Sequence, residues 1–238
     1  MESVAINVAA NTNEPGVRGP LYADGSFEYV PIPESEPTDA PVPTYADLAL
    51  DTTVPEDYRD ASVHLDPEFA EYPYCERYTY GDPHGAKVGP LSELGAGDHV
   101  FFYATLATGP EAPAWAPPEW GAFLIGQFRL ARDPLTGDDY RAADPGVRER
   151  FATNAHVKRR TFDARVLLAG DPSASGLYET AVPLSTPEAG TEPNRVVTAL
   201  STDSGRGPWW RRPLRFDAAA TENLSGSAAG PFDRGFRE

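Results

Sequence analysis

HVFFYATLA (residues 99–107) and WGAFLIGQFRLA (residues 120–131) form the clearest strand pair in this 238-residue chain. Both are rich in aromatic and β-branched side chains, which pack well on a pleated surface, and a Pro-rich loop separates them. DARVLLAG (163–170) and GLYETAVPLS (176–185) read as further strands. Towards the N-terminus, the mostly apolar run Val4 to Ala10 leads into Asn11-Thr12-Asn13. Asp24-Gly25, between Leu21-Tyr22 and Phe27-Glu28-Tyr29-Val30, is a strong hairpin signal. Short helices are expected at 90–94, around Tyr45–Leu48, over 194–200, and from Asp144 through about Asn154. In the last of these Asp144 is the N-cap and Pro145 the first helical residue. Strands and helices mix without βαβ alternation. The expected class is therefore α+β, a mixed, mainly antiparallel curved sheet or small barrel with flanking short helices. Residues 1–215 read as one domain, interrupted by the proline- and acid-rich connection 34–55. Residues 216–238 lack periodicity and read as a flexible C-terminal tail.

Composition narrows the setting. The formal net charge is −16, and of 20 basic residues only Lys87 and Lys158 are lysines. Acid excess with scarce lysine resembles the proteins of salt-in halophiles, haloarchaea in particular. At about 1 M salt the Debye length falls to about 3 Å, so self-repulsion is screened and the charge serves solubility. One cysteine, Cys75, excludes an internal disulfide framework and a multi-cysteine metal site. The start MESVAINVAA has no basic region followed by an apolar one, and no run approaches the roughly 20 apolar residues of a spanning helix. A cytoplasmic protein with no membrane partner is expected.

The chemistry-bearing residues lie in loop-like sequence. Asn11, Thr12, Asn13 and Arg18 follow the first strand, where they form either a ligand-facing loop or a well-capped turn. His64-Leu65-Asp66-Pro67-Glu68 and then Tyr80-Gly81-Asp82 gather one imidazole and three carboxylates, suited to general acid–base work or to one hard cation. Asp66-Pro67 also reads as plain turn chemistry. None of the four histidines (64, 84, 99 and 156) sits in an HxH or HExxH pattern, so a zinc enzyme is not expected and no metal ligands are assigned. Two acid-free segments concentrate the scarce cations, NAHVKRR (154–160) and SGRGPWWRRPLR (204–215). Arginine beside tryptophan suits phosphate contact with base stacking, as in single-strand or flipped-base binding. The competing reading pairs these arginines with local carboxylates and buries the tryptophans. Walker A, GxGxxG, GxSxG and Cys/His zinc signatures are missing from the sequence, which removes support for ordinary NTPase, dehydrogenase and hydrolase activities.

INVAANTNEPGVRGPLYADGSFEYVPIPE, VHLDPEF, YTYGD, LSELGAGDHVFFYATL, GAFLIGQFRL, NAHVKRR and GDPSASGLYETAVPLS run in order from about residue 6 to 185. In these blocks the chain resembles the nucleotide-modification-associated domain 3 family, whose genes neighbour DNA-base-modification genes in phages and prokaryotes. The strand pair alone is also similar to strand pairs of PUA-like folds such as the ASCH and EVE domains, small barrels that bind modified bases. The resemblance implies a nucleic-acid or nucleotide-modification-associated protein that recognises or helps modify a nucleobase in DNA. The alternatives are a non-catalytic modified-base-binding module and an accessory subunit with a modification- or restriction-system partner. On this reading Asn11, Thr12 and Asn13 face the base and Arg18, Lys158 and Arg159 hold phosphate. Tyr29, Tyr103 or Trp210 stacks, Asn154 and His156 complete the nucleotide site, and His64, Asp66 and Asp82 are the candidate catalytic groups. The sequence assigns no cofactor.

Overall fold

A computed structural model describes residues 1–227. In chain order its strands are β1 (Ser3–Asn7), β2 (Pro20–Leu21), β3 (Ile32–Pro33), β4 (Val63–His64), β5 (Thr79–Asp82), β6 (His99–Thr108), β7 (Glu119–Arg129), β8 (Leu135–Thr136), β9 (Val166–Ala169), β10 (Gly176–Pro183) and β11 (Leu214–Phe216). The α-helices are α1 (Gly85–Ser92), α2 (Gly137–Ala142), α3 (Pro145–Glu149), α4 (Ala155–Lys158) and α5 (Ala218–Ser227), and single helical turns include Tyr45–Asp47 and Val196–Leu200, near two expected helices.

The quoted strand pair is the middle of the fold. β6 and β7 pair antiparallel from His99↔Arg129 to Thr108↔Glu119, with a register shift at Phe102/Tyr103. The main sheet runs β10-β7-β6-β1-β11, and β1 lies parallel to β6. Both faces of this sheet are covered. Val4, Ile6, Val100, Phe102, Phe123 and Ile125 pack into one core, while Ala5, Phe101, Tyr103, Ala122 and Leu124 pack into another. A strand buried on both sides reads as a continuous apolar run rather than an alternation, which is why these segments carry almost no polar residue. The class is α+β as expected, and the sheets are open rather than closed into a barrel.

Two small sheets flank the main one: β3 with β4, and β5-β9-β8. Turn chemistry at Asp24-Gly25 acts as expected. Asp24 Oδ1 accepts from the Ser26 N–H at 2.9 Å, Gly25 has φ +88°, and the Tyr22 N–H donates to the Ser26 carbonyl. Leu21 bridges Phe27 across this turn and also pairs with Thr108 of β6.

Several segments differ from their sequence reading. α1 begins five residues before the expected position and carries Pro90 inside it. The helix from Pro145 stops at Glu149, and the chain re-enters a helix only at Ala155. Connection 34–55 joins a core of its own: Tyr45, in the expected helical turn, and Leu48 are buried with Val30, Val63 and Leu65, and the Tyr45 hydroxyl donates to the Pro31 carbonyl. The tail reading of residues 216–238 is corrected over its first part. Phe216 ends β11, and α5 sends Ala220 and Leu224 into the second core while Thr221 hydrogen-bonds Ser3 at 2.8 Å. A short helix without a strong amphipathic pattern gains its stability from this docking rather than from its own sequence. The remainder of that expected tail, 228–238, lies outside the described residues. No helix among the described residues is long and apolar enough to cross a membrane.

Candidate functional site

The end of β1 and the two small sheets meet at a cleft of about 480 Å³. Its walls come from the β1 exit (Asn7 to Ala9, Asn11), residues 32–36, the β4 exit (His64, Asp66), β5 with the start of α1 (Tyr80 to His84, Lys87), and the segment around α4 (His156, Arg159, Asp163).

Asp66 is its centre. The Gly81 N–H donates to both carboxylate oxygens at 3.0 and 3.1 Å, and Asn154 Nδ2 donates to Oδ1 at 2.8 Å. Two imidazoles face the same carboxylate: His64 Nε2 lies 4.0 Å and His156 Nε2 3.6 Å from Oδ2. The two rings stand edge-on to each other with centroids 4.8 Å apart. Each histidine is held from behind. His64 Nδ1 contacts Glu34 Oε2 at 2.6 Å, and His156 Nδ1 contacts Asp163 Oδ1 at 2.8 Å. Arg159 ties these supports together, donating to Glu34 at 2.7 Å and to Asp163 at 2.6 Å. All three central residues are buried.

The local sequence explains this placement. Asn154 caps α4 by accepting the His156 N–H, and the same side chain turns its amide nitrogen onto Asp66 and Thr79. Glu68 secures the neighbouring backbone: it accepts from the Glu76 and Arg77 N–H groups and from the hydroxyls of Thr79 and Thr153. Gly81 permits the close approach, since a Cβ there would lie 2.8 Å from His156 Cδ2. On β5, Tyr80 and Asp82 point the same way two residues apart. The Tyr80 hydroxyl donates to Asp82 Oδ2 at 2.5 Å, and Lys87 Nζ sits 3.3 Å from the same oxygen.

Burial and neighbouring charge set the protonation preferences. Burial drives the Asp66 carboxyl well above its ordinary range, against the hydrogen bonds from Gly81 and Asn154. Burial and then His64 push His156 down to about 4, against the pull of Asp163. Burial opposes ionisation of Glu34, but the hydrogen bonds from His64 and Arg159 outweigh it and hold that carboxyl at about 2. Burial, then Asp82, raises the Tyr80 phenol well above its usual value. The result is a dry, strongly polar cluster whose proton positions differ from those of the same groups in water, as at many sites of chemistry.

The expected residues divide into two groups. His64, Asp66, Asp82, His156, Arg159 and Asn11 come together at the cleft, and Asn154 stands directly behind it. Arg159 is engaged by two carboxylates, so its task here is to orient the histidines rather than to offer a free phosphate contact. Thr12 and Asn13 are exposed and do not line the cleft; Asn11 Oδ1 closes its own turn on the Asn13 N–H. Arg18 points elsewhere, to Thr105 and over the Trp120 ring at 4.7 Å. Tyr29 is buried against Phe69 and Tyr72, and Tyr103 lies in the second core with its hydroxyl on the Arg212 carbonyl. Trp210 packs on Trp120 and Trp209, and Lys158 is not a cleft residue. None of these three aromatic rings can stack on a ligand in this cleft, because each is used in packing elsewhere. In the tryptophan–arginine segment Trp209 is fully buried, Arg212 pairs with Asp203, and Arg215 pairs with Glu93. That is the packing and ion-pair alternative. Glu34, Asp163, Asn7 and Lys87 escaped the sequence reading. Glu34 stands at the start of an acidic connection where nothing local separates it from Glu36.

The sequence model for nucleotide modification associated domain 3 matches residues 2–226. No curated protein and no solved structure matches the chain.

Proposed function

Because the chain belongs to the nucleotide modification associated domain 3 family, we propose that the Asp66 cleft recognises a nucleobase in DNA and supplies groups that help to modify it. The observation that carries this reading is the convergence of His64, Asp66 and His156, buried and individually supported, at the floor of a cleft of about 480 Å³. That volume lies within the range of about 300–1,000 Å³ usual for small-molecule sites. Side-chain amides at the rim, Asn7 and Asn11, each offer a donor and an acceptor, as reading a base edge requires. Below them Asp66 and the imidazoles stand where proton transfer to or from a bound base would take place. Tyr80 contributes the only phenol or indole ring among the lining residues. Both cleft cations already face carboxylates, Lys87 on Asp82 and Arg159 on Glu34 and Asp163. The reading therefore rests on base contacts rather than on phosphate attraction.

The test combines thermal shift and mass spectrometry in molar KCl. Nucleosides, nucleotides and short single-stranded oligonucleotides, with natural and modified bases, are titrated against the wild type and Asn11→Ala. A ligand at about 100 times its dissociation constant stabilises the folded state by about 2.7 kcal/mol, enough to move the melting temperature visibly. The expected result is a base-dependent shift that Asn11→Ala weakens. A mass change of the base that disappears in Asp66→Asn identifies an enzyme that acts with water alone, whereas a shift with no product shows binding of the base. No shift with any nucleobase-bearing ligand rejects the reading.

A further inference from the structure

We infer that His64, Asp66 and His156 form a binding site for one divalent first-row transition-metal ion, bound through the two Nε2 atoms and the Asp66 carboxylate. One donor atom from each residue lies within 4.8 Å of those of the other two, and all three residues are buried. Nε2-to-Oδ2 separations of 3.6 and 4.0 Å exceed by a few tenths of an ångström the roughly 3.4 Å between ligands on a tetrahedral ion with bonds of about 2.1 Å. The donors stand within 4.8 Å of one another, so both rings would turn inward on binding.

Hydrogen bonding decides which nitrogens are free. At 2.6 and 2.8 Å, Glu34 and Asp163 can only accept, so both Nδ1 atoms carry hydrogen. Arg159, 3.3 and 3.4 Å from the same nitrogens, is farther and serves the carboxylates instead. Both Nε2 lone pairs then face the Asp66 carboxyl group. An ion placed between these three groups would meet all three donors at once. Carboxylate–histidine–metal relays have this order, and they fix the tautomer and the ring orientation. Two imidazoles with one carboxylate favour zinc or iron over magnesium or calcium, which prefer oxygen. His64 and Asp66 stand two residues apart as H-x-D and His156 follows far along the chain, so the HxH and HExxH patterns do not describe them.

The site lies in the cleft assigned to the nucleobase, but it is tested with the ion alone, so either reading can fail without the other. Chelator-treated full-length protein is titrated with Zn²⁺, Mn²⁺, Mg²⁺ and Ca²⁺ by calorimetry, and its histidine ¹⁵N resonances are followed during the Zn²⁺ titration. One equivalent of Zn²⁺ should bind, more tightly than Mg²⁺ or Ca²⁺. Only the Nε2 signals of His64 and His156 should move to metal-bound positions, with those of His84 and His99 unmoved. His156→Ala should abolish stoichiometric binding, and Asp163→Asn should weaken it about 10- to 100-fold, the usual loss when an orienting partner is removed. If His156→Ala fails to fold, the wild-type resonances and Asp163→Asn still decide. Absence of one-to-one binding, preference for Mg²⁺ or Ca²⁺, coordination through Nδ1, or unchanged affinity in Asp163→Asn would each overturn the inference.

Discussion

Gly81 shows how closely single residues are set in this cleft. Its N–H holds both Asp66 oxygens, and the space above its Cα is taken by His156 and by Asn154 Oδ1, 3.1 Å from where a Cβ would stand. Both neighbours are fastened, His156 to Asp163 and Asn154 to Asp66. Gly81→Ala should therefore displace the histidine rather than be absorbed. We expect a loss of about 1–3 kcal/mol, typical of overpacking, in urea denaturation, together with a loss of ligand-induced thermal shift. A variant as stable as the wild type that still responds to ligand would show that His156 can move freely. At this scale the sequence was informative about residue type and silent about partners. His64-Leu65-Asp66 and Tyr80-Gly81-Asp82 stood out because imidazole and carboxylate are concentrated there. Glu34 and Asp163 did not, because supporting a histidine demands only a carboxylate at the right place, and this chain has 36 acidic residues from which to choose.

At the scale of elements, what burial alone requires was legible and what docking requires was not. β6, β7 and β9 lie close to their expected positions, since a strand covered on both faces must be an unbroken apolar run, and β10, partly exposed, also lies near its expected position. α5 was missed because AAATENLSGS has too little amphipathic pattern to announce a helix. Its reason for folding is the surface it meets: Leu224 is 2% exposed within the second core, and Thr221 bonds Ser3 across the whole length of the chain. Leu224→Ala should lower stability by about 2 kcal/mol or more in chemical denaturation, as for other buried leucines. A change within about 0.5 kcal/mol would show that α5 is an ornament on the sheet. The segment 204–215 teaches the converse. Arg212, bidentate on Asp203, and Trp209, whose indole N–H donates to the Thr191 carbonyl, form a structural clasp behind the sheet. Cation–aromatic clustering reads the same in sequence whether the cations meet phosphate or carboxylate.

Across the whole molecule, a net charge of −16 places 36 acidic groups against 20 basic ones, and many of the basic groups are already paired. Unscreened self-repulsion acts against the compact state, and salt relieves it. The melting temperature should rise between about 0.1 and 1 M KCl. The affinity for an oligonucleotide should fall only weakly with salt over the same range, because the cleft offers few free cations for phosphate. A steep salt slope would point to a phosphate-binding surface outside the cleft. The sequence by itself determined the central strands, the mixed class, the scarcity of cations and the family, since each depends on residue type counted along the chain. Only the tertiary structure decided the site. Glu34, the His64–Asp66 pair, Tyr80, His156 and Asp163 come from separate segments, and nothing in any one segment names its partners in the others. They act as one cluster because the β1 exit and β5 share the first core and α4 packs against β5, and hydrogen-bond geometry across that packing leaves no trace in local sequence pattern.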